Sequence, residues 1–160
     1  MIIILMGVSG SGKTTIGRLL ARDLGWDFYD ADDYHPPDNI AKMANGIPLT
    51  DEDRQPWLQS IQDLIIDLIQ QNKHAIIACS ALKEIYRNKL HVKHIVQFVY
   101  LLGSFELIKE RLTSRQRHFM TTDLLASQFA ALEEPQDVLA IDISATPEEI
   151  VSAIRTAFEI

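Results

Sequence analysis

The stretch IIILMGVSGSGKTT, residues 2–15, decides the fold of this chain. Its apolar start predicts a buried strand over 2–6. Residues 7–14 then match the pattern G-x-x-x-x-G-K-[ST], in which glycines let consecutive backbone N–H groups point at phosphate oxygens. A helix predicted over 15–24 adds the partial positive charge of its N-terminus. Strand, loop and helix together indicate a phosphate-binding loop.

We expect this loop to bind the phosphates of ATP. The Lys13 ammonium supplies a full positive charge, and the Thr14 hydroxyl is a candidate ligand of Mg²⁺. Lys13 is therefore also expected to act in catalysis. The expected nucleotide ligands in and beside the loop are Gly7, Ser9, Gly10, Ser11, Gly12, Lys13, Thr14 and Thr15.

Short β-branched runs alternate with helical periodicity along the rest of the chain, which predicts a parallel sheet covered by helices on both faces. The fold class is therefore α/β, a three-layer phosphate-loop NTPase or kinase fold in one domain over 1–160. The five strands are predicted near 2–6, 27–29, 75–79, 96–101 and 139–143. After the helix at 15–24, further helices are predicted over 52–71, with Thr50 or Asp51 as its cap, and over 104–112 and 147–158.

Composition limits the kinds of partner. Fifteen Lys and Arg against 22 Asp and Glu give a net charge of −7, which argues against nucleic acid and anionic membrane surfaces as partners. No apolar run approaches the length needed to cross a bilayer. The lone cysteine, Cys79, lies in an apolar run and is expected to be buried. A cytoplasmic location is expected.

Acidic residues follow the second predicted strand, in the order Asp30-Ala31-Asp32-Asp33. They are expected at the carboxyl edge of the sheet, on the same rim as the phosphate loop. Asp30 and Asp32 would point the same way if strand alternation continued. We expect Asp30 to hold the metal and Asp32 to orient or deprotonate an acceptor hydroxyl. Acids that cap a turn before Pro36 are the alternative.

Several further segments carry a resemblance to a known family. Together with the phosphate loop, they cover most of the chain and occur in the family's order. They are HPPDNIAKM (35–43), PLTDEDR (48–54), ACSALK (78–83), GSFE (103–106), HFM (118–120) and SQF (127–129). In these segments the sequence resembles the small phosphate-loop gluconokinases.

The resemblance implies transfer of phosphate from ATP to D-gluconate, with Mg²⁺, and it suggests a homodimer. The acceptor would bind to segment 32–54. Such a substrate requires partners for its hydroxyls and a cation for its carboxylate. The candidates for the hydroxyls are Asp32, His35 and Asn39, and those for the carboxylate are Lys42, Arg54, Lys83 and Arg87.

The four cations are left unranked at this point, because each has a structural alternative. Arg54 lies near the start of a helix, where a surface charge is common. Lys83 and Arg87 have i, i+4 spacing, which also suits a solvated basic stripe.

A polar stretch after the predicted helix 104–112 suggests a lid over about 112–122. Kinases need cations over the transferred phosphate and need water excluded. Arg111 and Arg115 are expected to contact the nucleotide, with Arg115 also assigned to catalysis, although Arg117 competes with it for the closing role. Gln128 is placed on the helix behind the lid, near acceptor or nucleotide.

Two other functions compete with a gluconate kinase. A kinase of the shikimate type is expected to carry a Gly-rich turn after the third strand, where this chain has Cys79 and Ser80. A non-catalytic nucleotide switch would leave the acceptor-like segment 32–54 unexplained.

Overall fold

The structure is a computed structural model, and it describes residues 1–114 and 122–160. The strands are β1 (Ile2–Met6), β2 (Asp27–Asp30), β3 (Ala75–Ala78), β4 (Val96–Leu102) and β5 (Leu139–Asp142). They form one sheet in the order β2-β3-β1-β4-β5, and every neighbouring pair is parallel. The predicted α/β class with a five-stranded parallel sheet is confirmed.

Seven helices occur within these described ranges. They are α1 (Lys13–Leu24), α2 (Pro37–Ala44), α3 (Asp51–Gln70), α4 (Glu84–Leu90), α5 (Phe105–Thr113), α6 (Thr122–Ala131) and α7 (Pro147–Phe158). A single 3₁₀ turn, Ala31–Tyr34, joins β2 to the segment before α2. No helix of this part of the chain is long and apolar enough to span a bilayer.

Alternate residues of each buried strand face opposite layers of helices, as the period of two requires. Ile2, Ile4 and Met6 of β1 pack with α3 and α4 in one core. Ile3 and Leu5 of the same strand pack with α1, α5 and α7 in the other. The sheet is therefore covered on both faces, and functional side chains collect at its carboxyl edge.

The register of the parallel strands places the carboxyl ends of β1, β2 and β3 side by side. Ala78 of β3 lies opposite both Leu5 of β1 and Asp30 of β2. The phosphate loop, which leaves β1, and the acids, which end β2, therefore flank the end of β3. Cys79 follows β3 and is buried, which confirms the expectation, and burial raises the pKa of its thiol to about 12.

Two local predictions differ from the structure. The first helix begins at Lys13, two residues earlier than predicted, because the left-handed Gly12 turns the chain directly into it. The short helix α2 was not predicted, although Pro37 stands at its first position, where a missing N–H costs nothing.

Candidate active site

The phosphate loop wraps around the Lys13 ammonium. Gly10 and Gly12 have φ of 83° and 99°, values that L side chains rarely adopt. A Cβ on Gly10 would also lie 2.9 Å from the Leu112 side chain. Lys13 Nζ donates to the carbonyl oxygens of Gly7 and Val8, at 3.0 and 2.9 Å. The loop thus places its cation where a phosphate between the backbone amides would meet it.

A hydroxyl and a carboxylate stand together beside this loop. Thr14 Oγ1 donates to Asp30 Oδ2 at 3.1 Å, and Asp30 Oδ1 accepts from the Asp32 backbone N–H at 3.0 Å. Oxygen ligands of this kind suit Mg²⁺, which keeps several waters and binds through one or two protein groups plus phosphate oxygens. Within residues 1–114 and 122–160, no three His, Cys, Asp or Glu side chains gather to enclose an ion. The pair therefore fits a metal shared with a nucleotide.

Asp32 lies near this pair for a different reason than the sequence suggested. Strand alternation stops at Asp30, and Asp32 belongs to the 3₁₀ turn that follows, so the condition of that prediction is not met. The turn nevertheless leaves Asp30, Asp32 and Lys13 lining one cleft with the loop. Desolvation by the cleft raises the pKa of Asp32, an effect that the Lys13 charge opposes. Desolvation likewise lowers the pKa of Lys13, while Asp32 and Asp30 act in the opposite direction.

A second cleft continues from Lys13 and Asp32 toward α3. Its polar lining consists of Ser9, Lys13, Asp32, His35, Arg54, Ser80, Ser127 and Gln128, and Met43, Leu49, Trp57 and Leu124 are among its apolar walls. A compact, mainly polar acceptor beside the phosphate loop matches this lining. We call this space the acceptor cleft.

His35 is held in the acceptor cleft by stacking and by one amide. Its ring lies 4.4 Å from the Trp57 ring, nearly parallel to it, and the Trp57 indole N–H donates to the Ala31 carbonyl at 2.7 Å. Asn39 Nδ2 is 3.3 Å from His35 Nδ1. Desolvation, helped by the Arg54 charge, lowers the pKa of His35 to about 4. His35 is therefore neutral at pH 7.

The four candidate cations have different partners in the structure. Arg54 lines the acceptor cleft, and Nη1 donates to two neutral oxygens, the Leu49 carbonyl at 2.9 Å and the Tyr86 hydroxyl at 3.1 Å. Lys42 instead contacts both carboxylate oxygens of Asp53, at 2.9 and 2.8 Å.

Lys83 and Arg87 also have protein partners. Lys83 Nζ lies 2.9 Å from Asp51 Oδ1. Arg87 is buried and donates to the carbonyls of Ala81, Leu82 and Glu133, which ties α4 to the segment after α6. Neither cation is among the lining residues of the acceptor cleft.

Tyr86 and Asp51 form a network beside the acceptor cleft that the sequence did not predict. The Tyr86 hydroxyl donates to Asp51 Oδ1 and accepts from Arg54, and the Arg54 guanidinium carbon is 5.5 Å from the centre of the Tyr86 ring. Hydrogen bonds from Tyr86 and then Lys83 lower the pKa of Asp51. The chain separation of Asp51 and Tyr86, 35 residues, left no local signal for this network.

The remaining predicted contacts lie around the loop and the lid. Gln128 on α6 accepts from the Ser9 backbone N–H at 2.7 Å, so it touches both the phosphate loop and the acceptor cleft. Arg111 Nη2 donates to the Ile143 carbonyl at 2.8 Å. Arg115, Arg117 and the centre of the predicted lid lie outside the described residues.

Fold and site together define a small phosphate-loop kinase. In agreement, a family model described as Shikimate kinase matches residues 9–157. The thermosensitive gluconokinase of Escherichia coli (strain K12) is 46% identical over 159 residues, which cover 96% of this chain and 85% of that protein.

Two solved structures are also similar to this chain in sequence and in fold. An unliganded sugar kinase from Janibacter sp. HTCC2649 is 44% identical with a TM-score of 0.92, covering 99% of this chain and 94% of that one. A gluconokinase from Sinorhizobium meliloti 1021 is 41% identical with a TM-score of 0.84, covering 94% and 86%. The chain belongs to the gluconokinase family, on the shikimate kinase fold.

Proposed function

We propose that this protein transfers the terminal phosphoryl group of ATP to D-gluconate, giving ADP and 6-phospho-D-gluconate. The observation that carries the proposal is the acceptor cleft, which places the Asp32 carboxylate beside Lys13 and adds an Arg54 cation bonded to neutral oxygens. A sugar acid has both a hydroxyl for the carboxylate and an acid group for the cation. The names of the relatives support the same substrate.

Asp32 receives the proton in this mechanism. The oxygen of the acceptor hydroxyl bonds to the terminal phosphorus, the bond from that phosphorus to the bridging oxygen of ADP breaks, and the hydroxyl proton passes to the Asp32 carboxylate. The Asp32 side chain is exposed to the acceptor cleft, where a substrate hydroxyl can reach its carboxylate. Lys13 and the amides of the phosphate loop stabilise charge on the transferred group.

Thr14 and Asp30 are the groups that would hold Mg²⁺. When bound, the ion would supply positive charge to the phosphate oxygens of the nucleotide. The contact between the two side chains supports this assignment, because it keeps both oxygens at the mouth of the phosphate loop. Arg111 and Arg115 stay predicted nucleotide ligands, with Arg115 as the predicted catalytic cation of the lid.

Arg54 is proposed as the ligand of the gluconate carboxylate. Its guanidinium can form two parallel hydrogen bonds to a carboxylate, and Tyr86 and Leu49 hold it in place. The pairing of Lys42 and Lys83 with aspartates and of Arg87 with backbone carbonyls supports structural roles for those three. His35 and Gln128 are proposed to contact the acceptor.

The function is tested by ADP release from purified protein with Mg²⁺, ATP and one candidate acceptor at a time. We expect release with D-gluconate well above that with shikimate, nucleoside monophosphates or buffer alone, and none with Lys13→Ala. Release that is fastest with shikimate would favour the activity named by the family model, and release without any acceptor would indicate a plain ATPase.

Asp32→Asn is the sharpest single change for the mechanism. The amide keeps the shape but does not accept the proton, so we expect kcat to fall about 100- to 10,000-fold. The Kd for ATP, measured by titration calorimetry, should change little, because Asp32 is assigned to the acceptor. Wild-type turnover in this variant would contradict the assignment.

Arg54→Gln tests the carboxylate ligand. For the wild type, kcat/KM should be much higher with D-gluconate than with the neutral polyol D-glucitol. In Arg54→Gln we expect kcat/KM for gluconate to fall about 10- to 100-fold and the value for glucitol to change little. Lys42→Gln is the matched control. The Lys42 cation is already paired with Asp53, so this variant should keep the wild-type ratio of kcat/KM for gluconate to kcat/KM for glucitol. If Lys42→Gln lost the preference for gluconate and Arg54→Gln kept it, Lys42 and not Arg54 would be the ligand of the gluconate carboxylate.

A further inference from the structure

Asn39 is a buried polar side chain with a determined orientation. It is 3% exposed and lies on α2, behind His35 as seen from the acceptor cleft. Its Nδ2 lies 2.8 Å from the backbone carbonyl oxygen of Asp53. A carbonyl oxygen can only accept, so the amide nitrogen, and not the amide oxygen, must be the atom on that side.

The same nitrogen decides where the His35 proton sits. Asn39 Nδ2 is also 3.3 Å from His35 Nδ1, and an amide NH₂ group has a second hydrogen to donate but no lone pair to accept with. His35 Nδ1 is therefore the acceptor, and the single proton of the neutral ring is on Nε2. The lowered pKa of His35 agrees with a neutral ring.

The protonated nitrogen faces the reacting end of the acceptor cleft. His35 Nε2 lies 4.0 Å from Asp32 Oδ1, beyond hydrogen-bond length, so its N–H can also reach an oxygen of an acceptor that lies against Asp32. Stacking on Trp57 sets the plane of the ring. His35 is consequently a donor of fixed direction beside the carboxylate that takes the proton.

We infer that Asn39 is a positioning residue: it locks His35 as the neutral Nε2–H tautomer, which donates to a sugar-acid oxygen next to Asp32. Asn39 would then act on the substrate through His35, and not as the direct ligand that the sequence predicts. The inference rests on the proposed function for the identity of that oxygen. The tautomer does not depend on it.

The first test is the tautomer itself, read from long-range ¹⁵N–¹H correlations of the full-length protein with ¹⁵N-labelled histidine. The His35 signals are assigned by their loss in His35→Gln. At pH 7 we expect the pattern of a neutral ring protonated on Nε2. A wild-type ring protonated on Nδ1, or on both nitrogens, would overturn the inference even in a protein that phosphorylates gluconate.

The second test reverses the polarity of residue 39. Asn39→Asp has the same shape but presents carboxylate oxygens, so His35 should take a proton on Nδ1, and kcat/KM for gluconate should fall about 10-fold or more. Asn39→Ala removes the donor without imposing a tautomer and should give a mixed pattern with a smaller loss. The KM for ATP should stay near the wild-type value in both variants.

These outcomes separate a positioning role from a purely structural one. Reduced stability with an unchanged Nε2–H pattern in Asn39→Ala would show that Asn39 only supports the fold. Should Asn39→Asp fail to fold, the wild-type spectrum and Asn39→Ala still decide the question. Failure of the proposed function would appear separately, as absent ADP release with gluconate from the wild type.

Discussion

His35 is the residue whose titration links the site to the stability of the fold. In the folded protein its pKa is lowered to about 4 from the ordinary 6.5, because the ring is desolvated and faces Arg54. Between these two values the unfolded chain binds a proton that the folded protein excludes. The free energy of unfolding must therefore fall as the pH falls through this range, and His35 contributes nothing to the pH dependence well above it.

We expect the wild type to lose about 2 kcal/mol more than His35→Gln between pH 7 and pH 5. Glutamine has no charge to acquire, while the other titrating groups are common to both proteins. Urea unfolding curves at the two pH values give the four free energies that are needed. Equal losses in both proteins would mean that His35 titrates normally in the fold.

Among elements, α3 depends most clearly on its first turn. Thr50 Oγ1 accepts from the Asp53 N–H at 3.1 Å, and Asp53 Oδ2 accepts from the Thr50 N–H at 2.9 Å, which is a capping box. Thr50 and Asp51 are both cap candidates in the sequence, and the structure selects Thr50. The helix carries Arg54 and Trp57 into the acceptor cleft, so its start also sets the position of the site.

Thr50→Ala should lower the free energy of unfolding by about 1 kcal/mol and raise the KM for gluconate. The matched control is Thr146→Ala, which removes the corresponding cap of α7, where Thr146 Oγ1 accepts from the Glu149 N–H at 3.2 Å. The control should lose similar stability without a change in KM, because α7 does not line the acceptor cleft. An equal rise in KM in both variants would show that general loosening, and not the position of α3, is responsible.

Local sequence patterns predicted some of the strands and helices and failed to predict others. Strands with continuous apolar runs and the helix α7, announced by a cap and Pro147, were predicted within a residue or two of their bounds. The helix α2 was not predicted, because its eight residues span only about two turns, too few for a periodic pattern to be recognised in the sequence. Its helical geometry places Asn39 Nδ2 beside His35 Nδ1, a contact for which the sequence carried no signal.

At the scale of the whole molecule, the resemblance to gluconokinases predicts a homodimer, and this stays a prediction. Light scattering coupled to size-exclusion chromatography should give a mass near twice that of the 18.1 kDa chain at micromolar concentration. The Asn39 and Arg54 variants should give the same mass, because both side chains act within one chain. A wild-type mass of one chain would refute the prediction.

By itself the sequence determined the class of the protein: a phosphate loop between β1 and α1, acids at the end of β2, and alternating strands and helices. These are local features, because the conformation of a loop and the alternation of strands and helices depend mainly on residues close in the chain. Only the tertiary structure decided which of the four cations lines the acceptor cleft and which atom of Asn39 lies beside His35. Those outcomes depend on partners far along the chain, such as Asp53 for Lys42 and Tyr86 for Arg54, which only the packing of α2, α3 and α4 brings together.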